Sequence, residues 1–132
     1  MTHPMLELLP HGFVPTEPEA QRLVLTNTQD PREADLSGIT AIELQFPKFT
    51  DGRAFSQAFL LRRRLGFTGT IRATGDVLID QLLQMQRSGF SQAVLRADQN
   101  LAHGQTLLTQ FPAFYQGDAV QPLPHFAAAE TA

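Results

Sequence analysis

Apolar positions alternate along this chain between short strand-like runs and longer segments with helical spacing. The run AIELQF at residues 41–46 predicts a short buried strand, which Pro47 ends because proline cannot donate to a central ladder. Residues 51–65 predict a helix, and at about 100° per residue its apolar side chains share one face. These side chains are Ala54, Phe55, Ala58, Phe59, Leu61 and Leu65.

Two further strand and helix pairs follow. The segments GTIRATG and QAVLR predict strands, while DVLIDQLLQMQRS and DQNLAHGQTLLTQF predict helices that open at Asp76 and Asp98. Aspartate is a preferred N-cap residue, so the carboxylates of Asp51, Asp76 and Asp98 are expected to cap the three helices, with Thr50 as the alternative for the first. Gly66 suits the left-handed position after the first helix.

An internal repeat indicates how these elements are connected. RLGFTGTIRATGD (residues 64–76) and RSGFSQAVLRADQ (residues 87–99) share an arginine, a Gly-Phe pair, a hydroxyl residue, a strand end carrying Arg-Ala, and an acid. Their offset of about 23 residues fits one helix plus one strand, which gives parallel strands joined by right-handed crossovers. The predicted fold class is α/β, a single small domain with a mainly parallel sheet built from repeated βα units. Either a layered sheet or an arc resembling part of a (βα) barrel fits this pattern.

The repeat region divides the chain into three segments. Residues 1–40 form a proline-rich N-terminal segment in which RLVLTN (residues 22–27) predicts an edge strand. Residues 41–116 are expected to form the α/β core, and residues 117–132 are expected to form a C-terminal loop and tail. A length of 132 residues fits one domain with one core.

Composition excludes several function classes. The net charge of −3, with acids and bases mixed, argues against a nucleic-acid or anionic-membrane binder. The absence of cysteine excludes thiol catalysis, thiolate-bound zinc and cysteine-ligated clusters. The four histidines are far apart in sequence, so we expect no metal site. No apolar run is long enough to span a membrane and no signal peptide is visible, so the expected location is the cytoplasm.

Charged side chains collect where the three predicted strands end. They are Lys48, Asp51, Arg53, Arg72, Asp76, Arg96 and Asp98. Ligands of parallel α/β folds bind at this edge, and bases beside helix N-termini suit sulfate, phosphate or a carboxylate. The sequence therefore predicts a ligand or partner site for a small anion here. As the alternative, the acids cap helices and the arginines neutralise those caps.

Two other positions bear on chemistry. Arg62 falls inside the apolar arc of its helix, so it is expected either to pair with an acid such as Asp80 or to extend to the rim. Since helix capping does not require it there, Arg62 is also a candidate ligand- or partner-binding residue, with Lys48, Asp51, Arg53, Arg72 and Arg96. The run Arg62-Arg63-Arg64 is most simply a cationic helix end that complements the dipole. Asp76 and Asp80 share a helix face and are the candidate catalytic acid–base pair. No nucleophile elbow, dinucleotide fingerprint or Walker loop accompanies them, so no reaction and no cofactor follow from the residues.

The core segment carries a longer pattern of motifs. Its elements are Phe46-Pro47, Phe49, Asp51-Gly52-Arg53, Ser56, Leu61-Arg62, Gly66-Phe67, Gly69, Arg72-Ala73, Gly75-Asp76-Val77, Asp80-Gln81, Arg87, Gly89-Phe90 and Tyr115-Gln116. Over these residues the chain resembles a family of uncharacterised bacterial proteins, domain of unknown function 934. Its members are typically encoded beside sulfite reductase and are often labelled probable oxidoreductases of sulfite reduction.

The resemblance implies a pathway, the assimilation of sulfate through sulfite. The expected function is that of an auxiliary protein, either a partner of sulfite reductase or a binder of a small oxyanion at the strand ends. A small oxidoreductase or other enzyme of sulfite reduction, with a partial-barrel site using Asp76 or Asp80 and an Arg53–Arg72 anion clamp, is the alternative. A homodimeric scaffold is the third possibility.

Overall fold

Five parallel strands and three helices make up the computed structural model, which describes residues 6–48 and 52–110. The strands are β1 (Glu7–Leu9), β2 (Arg22–Leu25), β3 (Ala41–Phe46), β4 (Thr70–Gly75) and β5 (Gln92–Val94), and the helices are α1 (Arg53–Arg63), α2 (Leu82–Ser88) and α3 (Leu101–Gln110). The strand order is β1-β5-β4-β3-β2, and every neighbouring pair is parallel. The predicted α/β class with a parallel sheet is therefore confirmed.

The helices pack in one layer on one face of an open sheet. From β2 to β5 each strand is added on the same side of the previous one, and right-handed crossovers then put the connections on a common face. Accordingly, α1 contacts α2 and α2 contacts α3. Between the layers lies one apolar core in which Ile42, Leu44, Ile71 and Leu61 are fully buried. Among described strands, β1 and β2 are the two edges, so the sheet does not close into a barrel.

The helix ends agree only in part with the predictions. Gly66 and Gly89 have φ values of 69° and 112° after α1 and α2, so the predicted glycine end of the first helix is confirmed. The predicted caps at Asp76 and Asp98 are wrong. A 3₁₀ turn, Ile79–Gln81, precedes α2, and before α3 the Asn100 Oδ1 accepts the hydrogen bond from the His103 N–H at 3.0 Å. Both aspartates bond to Arg96 instead.

The first helix also departs from its predicted span and buried face. It begins at Arg53 after Gly52, and the predicted cap Asp51 lies outside the described residues. Gln57, which is not among the predicted apolar side chains, is buried, and its Nε2 donates at 2.8 Å to the carbonyls of both Thr26 and Gln29. Phe59, on the predicted apolar face, is exposed because the helix packs on the loop after β2 as well as on the sheet. Leu65, also predicted to be on that face, is exposed beyond the last residue of α1, Arg63.

The N-terminal segment supplies both edges of the sheet. RLVLTN forms the edge strand β2, whereas β1 has no predicted counterpart because three residues among prolines carry no measurable periodicity. The connection between them, residues 10–21, passes from one edge to the other over the face that carries no helix. We call this connection the strap.

Candidate functional site

A row of polar side chains crosses the face of the sheet opposite the helices. The register pairs Glu7 with Gln92, Gln92 with Arg72, and Arg72 with Glu43. Successive strand residues point to opposite faces, so these four side chains share the face that the strap covers, while Ile71 faces the helices. The row thus places an arginine in the middle strand between a glutamine and a glutamate.

Arg72 is the central hydrogen-bond donor of this row. Its Nε donates to Gln92 Oε1 at 2.8 Å, and its Nη1 donates to Glu43 Oε2 at 2.8 Å. From the strap, Glu17 accepts from both terminal nitrogens, at 3.1 and 2.9 Å. The Phe13 ring lies over the guanidinium, 5.1 Å from its Cζ. Only 3% of the Arg72 side chain is exposed, so a ligand could reach it only if the strap moved.

The opposite charges of Glu17 and Arg72 stabilise each other's ionised form. The hydrogen bond from Arg72 lowers the pKa of Glu17, and Arg22 adds a second cation 3.5 Å from the same carboxylate. Burial alone would lower the pKa of Arg72, but the hydrogen bonds to Glu17 and Glu43 outweigh burial and raise it. Glu17 and Arg72 therefore remain charged near neutral pH. This favours a structural role, in which their ion pair holds the strap on the sheet, over a role in proton transfer.

A second charged group lies at the carboxyl edge of the sheet. Arg96 follows β5, and its Nη1 donates to Asp76 Oδ1 at 2.6 Å. Its Nε and Nη2 donate to the two oxygens of Asp98 at 2.7 and 2.8 Å, a bidentate pair. The pairing lowers the pKa of Asp98, while Asp98 and then Asp76 raise the pKa of Arg96. Two carboxylates around one guanidinium leave this group with a net negative charge.

Other candidate residues of the carboxyl edge remain at the surface. Lys48 is exposed just after β3, and Arg53 is exposed at the first position of α1. Asp80 is exposed within the 3₁₀ turn between β4 and α2. Of the predicted anion site, therefore, Lys48, Arg53 and Arg96 lie at the expected edge.

Arg62 lies at the amino ends of the strands, opposite the carboxyl edge. Its guanidinium donates to the carbonyls of Gly89, Phe67 and Gly69 at 2.9, 3.0 and 2.7 Å, just before β4 and β5 begin. The predicted pairing with Asp80 is wrong, because Asp80 follows the carboxyl end of β4. Burial lowers the pKa of Arg62 to about 10, so the side chain is still a cation at neutral pH. These hydrogen bonds connect α1 to the two loops that precede β4 and β5.

The predicted site residues thus separate into three places. The repeat suggests that Arg72 and Arg96 are equivalent, but the register pairs Arg72 with Gln92, four residues before Arg96. One arginine consequently lies under the strap and the other beyond the strand end. Sequence reasoning missed Glu17 and Glu43. The acid inside the apolar run AIELQF was a usable signal for Glu43, whereas nothing local identifies Glu17.

Neither a metal site nor a membrane span is found in the described ranges. No group of three or more His, Asp or Glu side chains that could hold a metal ion occurs within residues 6–48 and 52–110. Among the helices of these same ranges, none is long and apolar enough to cross a membrane.

One comparison with known proteins gives a match. A family model described as a bacterial protein of unknown function (DUF934) matches residues 22–126. This match spans most of the chain, so the chain belongs to that family, as its motifs predicted. No curated protein and no solved structure matches the chain.

Proposed function

We propose that this member of the DUF934 family is an auxiliary protein of assimilatory sulfate and sulfite reduction that acts as a binding partner of sulfite reductase. The family resemblance supports the pathway. The choice of a protein partner over a small oxyanion rests on one observation: Arg72 and Arg96 are each already paired with two carboxylates of the chain itself.

An oxyanion would find little net positive charge at either arginine. At the carboxyl edge, Asp76 and Asp98 already accept a hydrogen bond from each of the three guanidinium nitrogens of Arg96, and a sulfite ion would meet their repulsion at close range. Under the strap, Arg72 is shared between Glu17 and Glu43 and is almost fully buried. A protein partner does not require such a preformed anion pocket, because it can contact charged side chains where they are exposed.

The enzymatic alternative has less support from the geometry. An active site using Asp76, Asp80, Arg53 and Arg72 would need these groups to converge on one concave site. Asp76 instead bonds to Arg96, and Arg72 lies on the strap-covered face in the middle of the sheet. We propose the cytoplasm as the location of this protein, together with the enzymes of sulfite reduction.

Growth of a deletion strain tests the pathway. We expect impaired growth with sulfate or sulfite as the sulfur source and normal growth with cysteine. Unchanged growth on all three sources would refute the pathway assignment.

Binding measurements test the role within that pathway. Purified protein should bind purified sulfite reductase in calorimetry, with affinity that falls as salt rises, and should give no heat with millimolar sulfite or sulfate. Binding of sulfite without binding of the reductase would favour the oxyanion reading instead.

A further inference from the structure

Eight of the nine arginines of this protein fall into two groups. Arg22, Arg32, Arg72 and Arg96 each form an ion pair with a glutamate or an aspartate. Within the described part of the chain, no carboxylate lies in ion-pair contact with Arg62, Arg63, Arg64 or Arg87. In a chain with more acids than bases, this second group is a local reversal of the overall charge.

The four arginines of this second group lie at one corner of the helix layer. Arg62, Arg63 and Arg64 end α1, while Arg87 is in the last turn of α2. The two helices contact each other, and the bond from Arg62 to the Gly89 carbonyl joins their C-terminal ends. Together with the exposed apolar residues Phe59 and Leu65 we call this surface the arginine corner.

Apolar exposure distinguishes the arginine corner from an ordinary charged helix end. Phe59 is 46% exposed and Leu65 37% exposed, and they are two of the four large apolar residues exposed within the described ranges. The guanidinium of Arg63 lies over the Phe59 ring, 5.5 Å from its centroid. Arginine and aromatic side chains held in such contact are the residue types enriched at the energetic centres of protein interfaces.

The helix dipole explains only part of this arrangement. Cations near a helix C-terminus interact favourably with the helix dipole, which gives a reason for arginines at this position. It gives none for an exposed phenylalanine beside an exposed leucine, since their exposure brings no folding free energy. A binding role accounts for both the charges and the apolar side chains.

We infer that the arginine corner docks an acidic segment of a partner protein that also carries aromatic or aliphatic side chains. Charge complementarity selects this occupant, because the corner offers arginines that have no ion pair with a carboxylate of residues 6–48 or 52–110. Two exposed apolar side chains at one helix end fit a short peptide segment better than a membrane plane, which an amphipathic helix binds along its whole apolar face. The identity of the partner as sulfite reductase rests on the proposed function, whereas the chemistry of the segment does not.

Charge reversal with a matched control tests the surface on the reductase. We expect R63E/R64E to weaken binding to purified sulfite reductase by about tenfold or more, and F59A to weaken it several-fold. R32E and V14A change an exposed arginine and an exposed apolar residue elsewhere and should bind as the unmodified protein does. Equal binding by R63E/R64E and R32E would overturn the inference while leaving the proposed function standing.

A peptide titration tests the surface independently of any reductase. An isotope-labelled sample is titrated with a synthetic peptide alternating Glu with Phe and Leu, and with the same peptide carrying Lys in place of Glu. We expect amide shift changes at the arginine corner with the acidic peptide alone, lost in R63E/R64E. If the unmodified protein fails to bind the reductase, the proposed function fails and this titration still decides the surface.

Two results of that titration would overturn the inference. One is the absence of shifts at residues 59–65 and Arg87. The other is binding to phosphatidylglycerol vesicles that R63E/R64E abolishes while the acidic peptide leaves the corner unperturbed, since the occupant would then be a membrane surface.

Discussion

Replacing Arg72 by methionine is expected to be among the most destabilising single changes available in this sheet. The variant removes a buried cation and leaves Glu17 and Glu43 as neighbouring carboxylates without their shared partner. Removing one member of a buried ion pair costs about 3–5 kcal/mol. Since these carboxylates are 13% and 16% exposed and keep some contact with water, we expect a loss near the lower limit, about 3 kcal/mol.

A triple variant separates the charge effect from the loss of packing. In E17Q/E43Q/R72M the carboxylates become amides, so no unpaired charge remains under the strap, and at least about half of the lost stability should return. The assay is urea unfolding followed by far-UV circular dichroism, because the chain has no tryptophan and one tyrosine. Domains of this size have total stabilities of about 5–15 kcal/mol, so R72M should still fold at low temperature.

The pH dependence provides a second check with a defined sign. Because the hydrogen bond from Arg72 lowers the pKa of Glu17 below its ordinary value of 4.5, this carboxylate stabilises the fold above that value. The contribution is lost as the pH falls through the lowered value. In R72M, protonation of Glu17 removes an unfavourable charge, so the difference between the two proteins should shrink from about pH 7 to about pH 3. A loss below about 1 kcal/mol at neutral pH, or a difference independent of pH, would refute the reasoning.

Three further changes probe other parts of the structure. Gly75→Ala should lower the free energy of unfolding by about 1–3 kcal/mol, since φ is +96° there and a Cβ would lie 2.5 Å from the Phe46 carbonyl oxygen. A variant as stable as the wild type in urea unfolding would contradict this prediction. Arg62→Met should lower the free energy of unfolding by about 2–4 kcal/mol, because three backbone carbonyls lose the donor that Arg62 supplies. The control Arg63→Met should change it by no more than about 0.5 kcal/mol, and equal urea midpoints for the two variants would contradict the contacts assigned to Arg62. Asp98→Asn should leave the urea midpoint unchanged, because the pair with Arg96 is largely exposed, and a clear drop in midpoint would mean the pair is less hydrated than its exposure indicates.

The class of the fold and several element ends follow from local patterns in the sequence. The apolar run ending at Pro47 and the helical spacing after it are local patterns, and backbone geometry converts them into a strand and a helix without reference to the rest of the chain. The same holds for Gly66, since a positive φ after a helix favours glycine in any fold. The repeat added the parallel connection, because a crossover of that length has few alternatives.

Which charged side chains form ion pairs depends on the tertiary structure. Glu17 and Arg72 are 55 residues apart, and their contact depends on the path of the strap over the sheet, which no local pattern encodes. The register between β4 and β5 put Arg72 under the strap and Arg96 beyond the strand end, although the repeat makes them look alike. An ion pair forms between whichever opposite charges the fold brings within about 4 Å. Sequence can therefore identify charges that need a partner, whereas the choice of partner follows from strand order and register.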